Sequence, residues 1–228
     1  MQTSHGSRLF FDRVDAGQRL GHALERYQKQ DVLVLGIPRG GVPVAAEVAL
    51  HVGGELDVVV ARKLGVPGHE ELAMGAVTAN GGVFLNHDLI TDLGISSTAL
   101  STIIARERQV AEGREQRFRA GRARATIAGR DVILVDDGLA TGATMHAALR
   151  SVRGEGPAKL VAAVPVGSRE ACAAIRAEVD DFVCLAQPEF FMAVGLHYAH
   201  FEPTDDEEVQ HLLAEAARRT QTALGAAG

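Results

Sequence analysis

A parallel, doubly wound α/β sheet is the fold this sequence predicts. Three observations predict it: short apolar runs without polar alternation, helical stretches after two of them, and a length suited to one substantial core. The runs are Val32-Leu33-Val34-Leu35, Val58-Val59-Val60-Ala61 and Val132-Ile133-Leu134-Val135. Each is short and rich in β-branched residues, as strands covered on both faces are.

Along the chain, Asp15 and Gln18 have the spacing of a capping box ahead of a helix from Ala16 to about Tyr27, with Leu20, Ala23, Leu24 and Tyr27 on one face. Helical stretches from Val42 to Val52 and from Ala143 to Val152 follow the first and third runs. Further strands are expected at Leu160 to Val164 and Phe182 to Leu185, which completes a βαβα rhythm. Between Leu64 and Arg130 the rhythm breaks. A hairpin is expected there, Ala73 to Ala79 and Val83 to Leu85 across Asn80-Gly81-Gly82, then a long charged helix from near Ser97, the whole lying over the sheet edge. Thr204 to Glu207 reads as a second capping box, before a helix whose face carries Val209, Leu212, Leu213 and Ala216. A frayed tail is expected from Gly225. The domain reading is one unit over 1–228, with a core at about 30–63 and 130–186, an insertion at about 64–129, and a C-terminal hood and helix at about 187–224.

With 228 residues, 46% hydrophobic and 23% charged, the chain can bury one core. A net charge of -6 and a pI near 5.8 argue against general nucleic-acid binding, which needs a basic excess. The two cysteines, Cys172 and Cys184, lack CxxC spacing, so neither a zinc site nor a disulfide framework is expected and a reducing compartment fits. No run approaches the roughly 20 apolar residues of a membrane span, and the N-terminus is polar, so the expected location is cytoplasmic, away from membranes.

The most informative stretch runs from Val132 to Thr144: a buried strand, then Asp136-Asp137-Gly138-Leu139-Ala140-Thr141-Gly142-Ala143-Thr144. Backbone N–H groups opening a helix are donors without intrahelical partners at the positive end of its dipole, and the Thr141 and Thr144 hydroxyls add to them. Gly142 allows close backbone approach. Two carboxylates at the strand end can accept hydrogen bonds from vicinal hydroxyls. Phosphate plus diol means a phosphorylated ribose. A Walker B strand also ends in acids, but the chain has no Gly-x-x-x-x-Gly-Lys-Ser/Thr loop to partner it. A response-regulator receiver fails as well, because Asp180 and Asp181 precede their strand.

This run resembles the signature of the type I phosphoribosyltransferases: an apolar strand, two acids and a Thr-Gly-x-Thr loop. The resemblance implies that the donor is 5-phosphoribosyl 1-pyrophosphate (PRPP). Asp136 and Asp137 would hold its ribose hydroxyls, and Gly138 with Ala140, Thr141, Gly142, Ala143 and Thr144 would surround its 5-phosphate. After the first core strand, Gly36-Ile37-Pro38-Arg39-Gly40-Gly41 stands where that family has its pyrophosphate loop. The glycines expose backbone N–H groups, and Arg39 can fork onto phosphate oxygens. Arg62 and Lys63, with Pro67-Gly68 downstream, resemble the mobile loop of adenine-type members; His69, Glu70 and Glu71 belong to the same loop or are simply solvated. Arg39, Lys63 and Asp137 are the expected catalytic residues, the first two stabilising charge on the departing pyrophosphate. Mg²⁺ is the implied cofactor, held through substrate oxygens without a direct protein cage, Asp136 being the one carboxylate that could join it.

The acceptor is a small nitrogenous molecule that the sequence does not name. Members acting on 6-oxopurines carry an Asp general base just before Thr-Gly, and this chain has Ala140 there. The segment from Gln187 to Phe201 holds four of the chain's ten aromatics. It supplies Phe190, Phe191, Val194 and Tyr198 as an acceptor hood, with packing on the core as the alternative. From Ala105 to Arg124 seven arginines face three glutamates, which reads as a solvated face, a lid over the site or the contact of a homodimer, with Leu100, Ile103 and Ile104 anchoring its first turns. Taken whole, the chain is similar to a set of bacterial phosphoribosyltransferase-like proteins of unassigned acceptor. A sensor that keeps the phosphoribosyl site without transfer is the alternative function.

Overall fold

The computed structural model describes residues 8–28 and 30–226. Its central sheet is built from β1 (Val32–Gly36), β2 (Glu55–Val58), β6 (Asp131–Val135), β7 (Lys159–Val166) and β8 (Asp181–Ala186), and a second sheet from β3 (Ala61–Val66), β4 (His69–Thr78) and β5 (Val83–Leu85). The central strands are all parallel, in the order β2-β1-β6-β7-β8. The helices are α1 (Arg13–Ala23), α2 (Gly41–Val52), α3 (His87–Asp92), α4 (Ser97–Arg119), α5 (Ala143–Arg153), α6 (Arg169–Arg176) and α7 (Asp206–Ala226).

Alternate residues of each core strand feed opposite layers. Val32, Val34, Ile133, Val135, Val161 and Ala163 pack with Leu20, Val44, Val48 and Val209 of α1, α2 and α7. Leu33, Leu35, Val132, Leu134, Leu160 and Ala162 pack with Met145, Leu149 and Ile175 of α5 and α6. Burying each such side chain contributes roughly 1.5–3 kcal/mol. Both faces being covered explains why the strands read as unbroken apolar runs, and the expected doubly wound fold is observed.

Several boundaries differ from expectation. The second apolar run is not one strand. β2 ends at Val58 and β3 begins at Ala61, while Val59 and Val60 stay buried because they cross from one sheet to the other between packed layers. Arg62 and Lys63 therefore stand on the first strand of the second sheet rather than at the end of a core strand. The expected β4–β5 hairpin is present, with a third strand added. The alternation Leu64, Val66 inward was its signal. α1 starts at Arg13, capped by Asp12, whose carboxylate accepts from Asp15 N–H at 2.8 Å while Asp15 accepts from Phe11 N–H at 3.0 Å. The cap is therefore Asp12 in place of the expected Asp15, and a 3-10 turn at Glu25–Tyr27 closes the segment. α7 is capped by Asp205, which accepts from Glu208 N–H at 2.7 Å, one residue past the expected Thr204. The tail expected from Gly225 is helical through Ala226, and 227–228 lie outside the described residues.

The second sheet rests on α5, while the end of α4 reaches the edge strand β2. Phe84 stacks on His146 of α5 at 4.5 Å between centroids, and Arg150 donates to Val83 O at 3.1 Å. A Cβ on Gly82 would lie 2.5 Å from Ala147 O, so only glycine lets the hairpin turn settle there. Leu100, Ile103 and Ile104 do anchor α4 against Leu64, Met74 and Val77. Several arginines of the insertion are engaged. Arg62 and Arg106 flank buried Glu107, and Arg124 holds Glu155. Arg119 reaches Asp57 on the edge strand β2 at 2.9 Å and Glu115 at 2.6 Å. Arg117, Arg119 and Arg124 thus tie the insertion to α7, β2 and Glu155 of the core, while the pairs at Glu107 lie within the insertion.

Candidate active site

In an open parallel sheet, ligands bind beyond the strand carboxyl ends where the chain winds in opposite directions from neighbouring strands. Here that point lies between β1, whose successor β2 is on one side, and β6, whose successors are on the other. The loops leaving these strands are Ile37–Gly40 and Asp136–Gly142, so the topology brings the two sequence motifs together. The fit is close. A Cβ on Gly41 would lie 2.8 Å from Val135 O and 2.9 Å from Asp136 Cα; one on Gly40 would lie 2.8 Å from Asp137 Cγ and 3.1 Å from Arg13 Nε. The peptide between Pro38 and Arg39 is cis.

Gly142 is the N-cap of α5, at φ +79°, a conformation that suits glycine. The first backbone bond of the helix runs from His146 N–H to Gly142 O at 2.9 Å. The N–H groups of Ala143, Thr144 and Met145 therefore have no carbonyl one turn back and face out of the helix end. Thr141 is exposed and Thr144 half-buried. The loop is tied from behind: Leu139 N–H donates to Val166 O at 2.8 Å, Ser168 N–H to Leu139 O at 2.9 Å, and the Ser168 hydroxyl to Ala140 O at 2.9 Å. The loop thus holds free N–H donors at the positive end of a helix, an arrangement suited to an anion.

Asp136 accepts its neighbour's backbone N–H at 2.9 Å on Oδ1. Burial, then the adjacent Asp137 charge, holds its proton well above the usual carboxylate range. Asp137 is also pushed up by burial, against the pull of Arg13, whose Nε and Nη2 lie 2.9 and 2.8 Å from Asp137 Oδ2. Arg13 is itself fixed, donating to Glu202 O at 2.8 Å and lying 3.8 Å above the Phe201 ring. Sequence reading missed Arg13, which lies 124 positions from its partner. A cation in the first turn of a helix opposes the dipole, and that mismatch was the available signal.

The other expected residues are placed unevenly. Arg39 is half-exposed and turned toward Asp206 at 3.6 Å. Arg62 is paired with Glu107 at 2.9 Å, and Lys63 is exposed on β3. His69 and Glu70 open β4, so the intervening turn is Pro67-Gly68. Within the expected hood, Tyr198 is a correction. It is buried, with its ring on Phe10 and Phe201, and its hydroxyl donates to Asp137 O at 2.6 Å. It buttresses the acid pair and offers no ring face to an acceptor. Val194 packs on Gly138, Phe191 stacks on His197 at 5.3 Å, and Phe190 is 86% exposed.

Gly40→Ala tests the loop contact. The added methyl must displace Asp137 or separate the loops. Thermal melting should show a loss of several degrees, and anion binding at the helix start, titrated calorimetrically, should weaken at least about tenfold. An unchanged melting temperature would show that the loops are free to part.

The chain matches the phosphoribosyl transferase domain family over residues 15–199. It is 44% identical over 211 residues, 92% of its length, to the Mycobacterium tuberculosis proteins named "Putative phosphoribosyl transferase Rv0571c" and "Putative phosphoribosyl transferase MT0597". It covers 48% of each, so it spans about half the length of these curated relatives. Among solved structures, TT1426 from Thermus thermophilus is 46% identical, with a TM-score of 0.78, over 90% of this chain and 98% of that one. AQ2163 from Aquifex aeolicus shares the fold alone, at 11% identity and a TM-score of 0.51, over 80% of this chain and 76% of that one. With the acid pair, the glycine loop beside it and the Thr141–Thr144 helix start at one switch point, these likenesses place the chain in the type I phosphoribosyltransferase family.

Proposed function

We propose that the chain moves the 5-phosphoribosyl group of PRPP to a small nitrogenous acceptor, releasing pyrophosphate. The observation that carries this reading is the abutment of the Asp136-Asp137 pair with Gly40-Gly41 on one side and the Thr141–Thr144 cradle on the other. The 5-phosphate fits the N–H and hydroxyl donors opening α5, and the ribose 2- and 3-hydroxyls fit the carboxylates. Pyrophosphate then falls over the Pro38–Gly40 loop, the Gly41 N–H being taken by Ile37 O at 3.0 Å, and Arg39 and Lys63 supply positive charge as the anomeric bond breaks.

The donor set is compatible with Mg²⁺. Two adjacent half-buried carboxylates share one arginine, which leaves negative charge unbalanced, and among the described residues no cluster of three acids, histidines or cysteines forms a cage. A divalent ion held mainly by substrate oxygens, with Asp136 adjoining, would neutralise charge on the leaving group. Arg13 keeps Asp137 oriented, and Tyr198 fixes the peptide behind it. Since Ala140 brings no base, Asp137 or a residue outside the motif takes the proton from the acceptor.

The experiment is calorimetric titration with PRPP and Mg²⁺, for the parent and for Asp136→Asn/Asp137→Asn, followed by pyrophosphate release across nucleobases and simple amines. Binding lost in the double variant, with one acceptor triggering release, is the expected result. Saturable binding without release for any acceptor would favour a sensor, and no binding by the folded parent would overturn the reading.

A further inference from the structure

The chain's two cysteines, distant from any recognisable motif, meet behind the phosphate cradle. Cys172 on α6 and Cys184 on β8 have their sulfurs 3.7 Å apart, and both are free thiols. We propose that they form a reversible dithiol–disulfide site, oxidised by peroxide, whose state alters the packing beneath the 139–144 loop.

The geometry supplies both halves of this proposal. A disulfide bond is about 2.05 Å long, so closure requires the sulfurs to approach by about 1.6 Å, within reach of a side-chain rotation and a small helix shift. Cys172 lies under the β7–α6 turn: a Cβ on Gly167 would lie 2.6 Å from its sulfur and 3.0 Å from Leu139 Cβ. Leu139 bridges Gly167 and opens the loop, and Ser168, one turn before Cys172 on α6, holds both the Leu139 and Ala140 carbonyls. Drawing the Cys172 sulfur toward β8 takes it away from Gly167 and pulls on the turn that carries Ser168.

The chemistry is also favoured. Cys172 gives up its proton more readily than an ordinary thiol because of the Cys184 thiol beside it, with Arg176 adding to the effect and burial opposing it. Cys184 is half-buried, with its sulfur 3.1 Å from Ala186 O, and Cys172 is buried. The Cys172 thiolate attacks one oxygen of hydrogen peroxide, the O–O bond breaks, and hydroxide leaves with the thiol proton as water. Cys184 then attacks the resulting sulfenic sulfur, the S–O bond breaks, and a second water departs with the Cys184 proton. Two thiols and one peroxide become a disulfide and two waters. A dithiol reductant reverses the change by exchange.

The test is peroxide treatment of the whole chain followed by non-reducing intact mass, thiol titration and hydrogen exchange. The expected result is a loss of about 2 Da with both thiols disappearing together, restored by dithiothreitol, while Cys184→Ser gains about 16 Da instead. Amides of 139–144 should exchange at least about threefold faster in the oxidised form. Oxygen addition to the parent without the 2 Da loss, or thiols reacting independently, would overturn the pair. A disulfide that leaves the exchange of 139–144 unchanged would overturn its link to the loop. Neither readout depends on the phosphoribosyl reading.

Discussion

Asp136→Asn is expected to melt a few degrees above the parent at neutral pH and to bind PRPP roughly a hundredfold more weakly. The two effects share one cause. Burial and then the neighbouring Asp137 raise the folded-state pKa of Asp136 above its ordinary value of 3.8, so the folded chain holds this proton more tightly than the unfolded one. The stabilisation from the protonated carboxyl is full below the ordinary value and is lost as pH rises through the raised one. As pH rises toward the raised value the parent increasingly bears the penalty of keeping or ionising this acid beside another acid, and asparagine bears none. The difference in melting temperature should therefore be smallest near pH 4 and grow as pH rises above it. Asparagine keeps an oxygen for the Asp137 N–H but presents a neutral amide to the ribose and to any cation, hence the loss of affinity. A variant that melts lower at pH 7.5, or a difference independent of pH, would refute the account of the site's electrostatics.

Arg119→Met should lower stability by about 3–5 kcal/mol, the usual effect of removing one partner from a buried ion pair. For a chain of this size that is roughly a 10 °C fall in melting temperature. Arg119 is buried between Asp57 and Glu115 and also donates to Val58 O at 2.9 Å. Asp57 keeps the N–H groups of Val58 and Ala125. Glu115, already pushed up by burial against the pull of Arg119, loses its principal cation and should take up a proton. Because Arg119 fastens the end of α4 to the edge strand, urea melts should show the insertion loosening before the central sheet. A coincident transition, or a drop below 1 kcal/mol, would show that α4 is held by its apolar contacts instead.

The sequence by itself determined the parts whose signals are local. Runs such as Val132 to Val135 are apolar at every position because both faces are covered, so most of the core strands and the doubly wound class were legible. The acid pair and the Thr-Gly-Ala-Thr turn were legible because strand end, carboxylates and helix start are contiguous in the chain. Tertiary structure decided whatever depends on partners far along the chain. Val58 to Ala61 looks like one strand, but its two halves belong to different sheets, since apolar residues crossing between packed layers are as buried as residues within them. Tyr198 looks like a ring for stacking, but Phe10 and Phe201 enclose it and Asp137 takes its hydroxyl. Arg13 carries no motif at all. Only the docking of α1 on the sheet brings its guanidinium to Asp137, because a salt bridge is fixed by position in space and leaves no periodicity in the sequence.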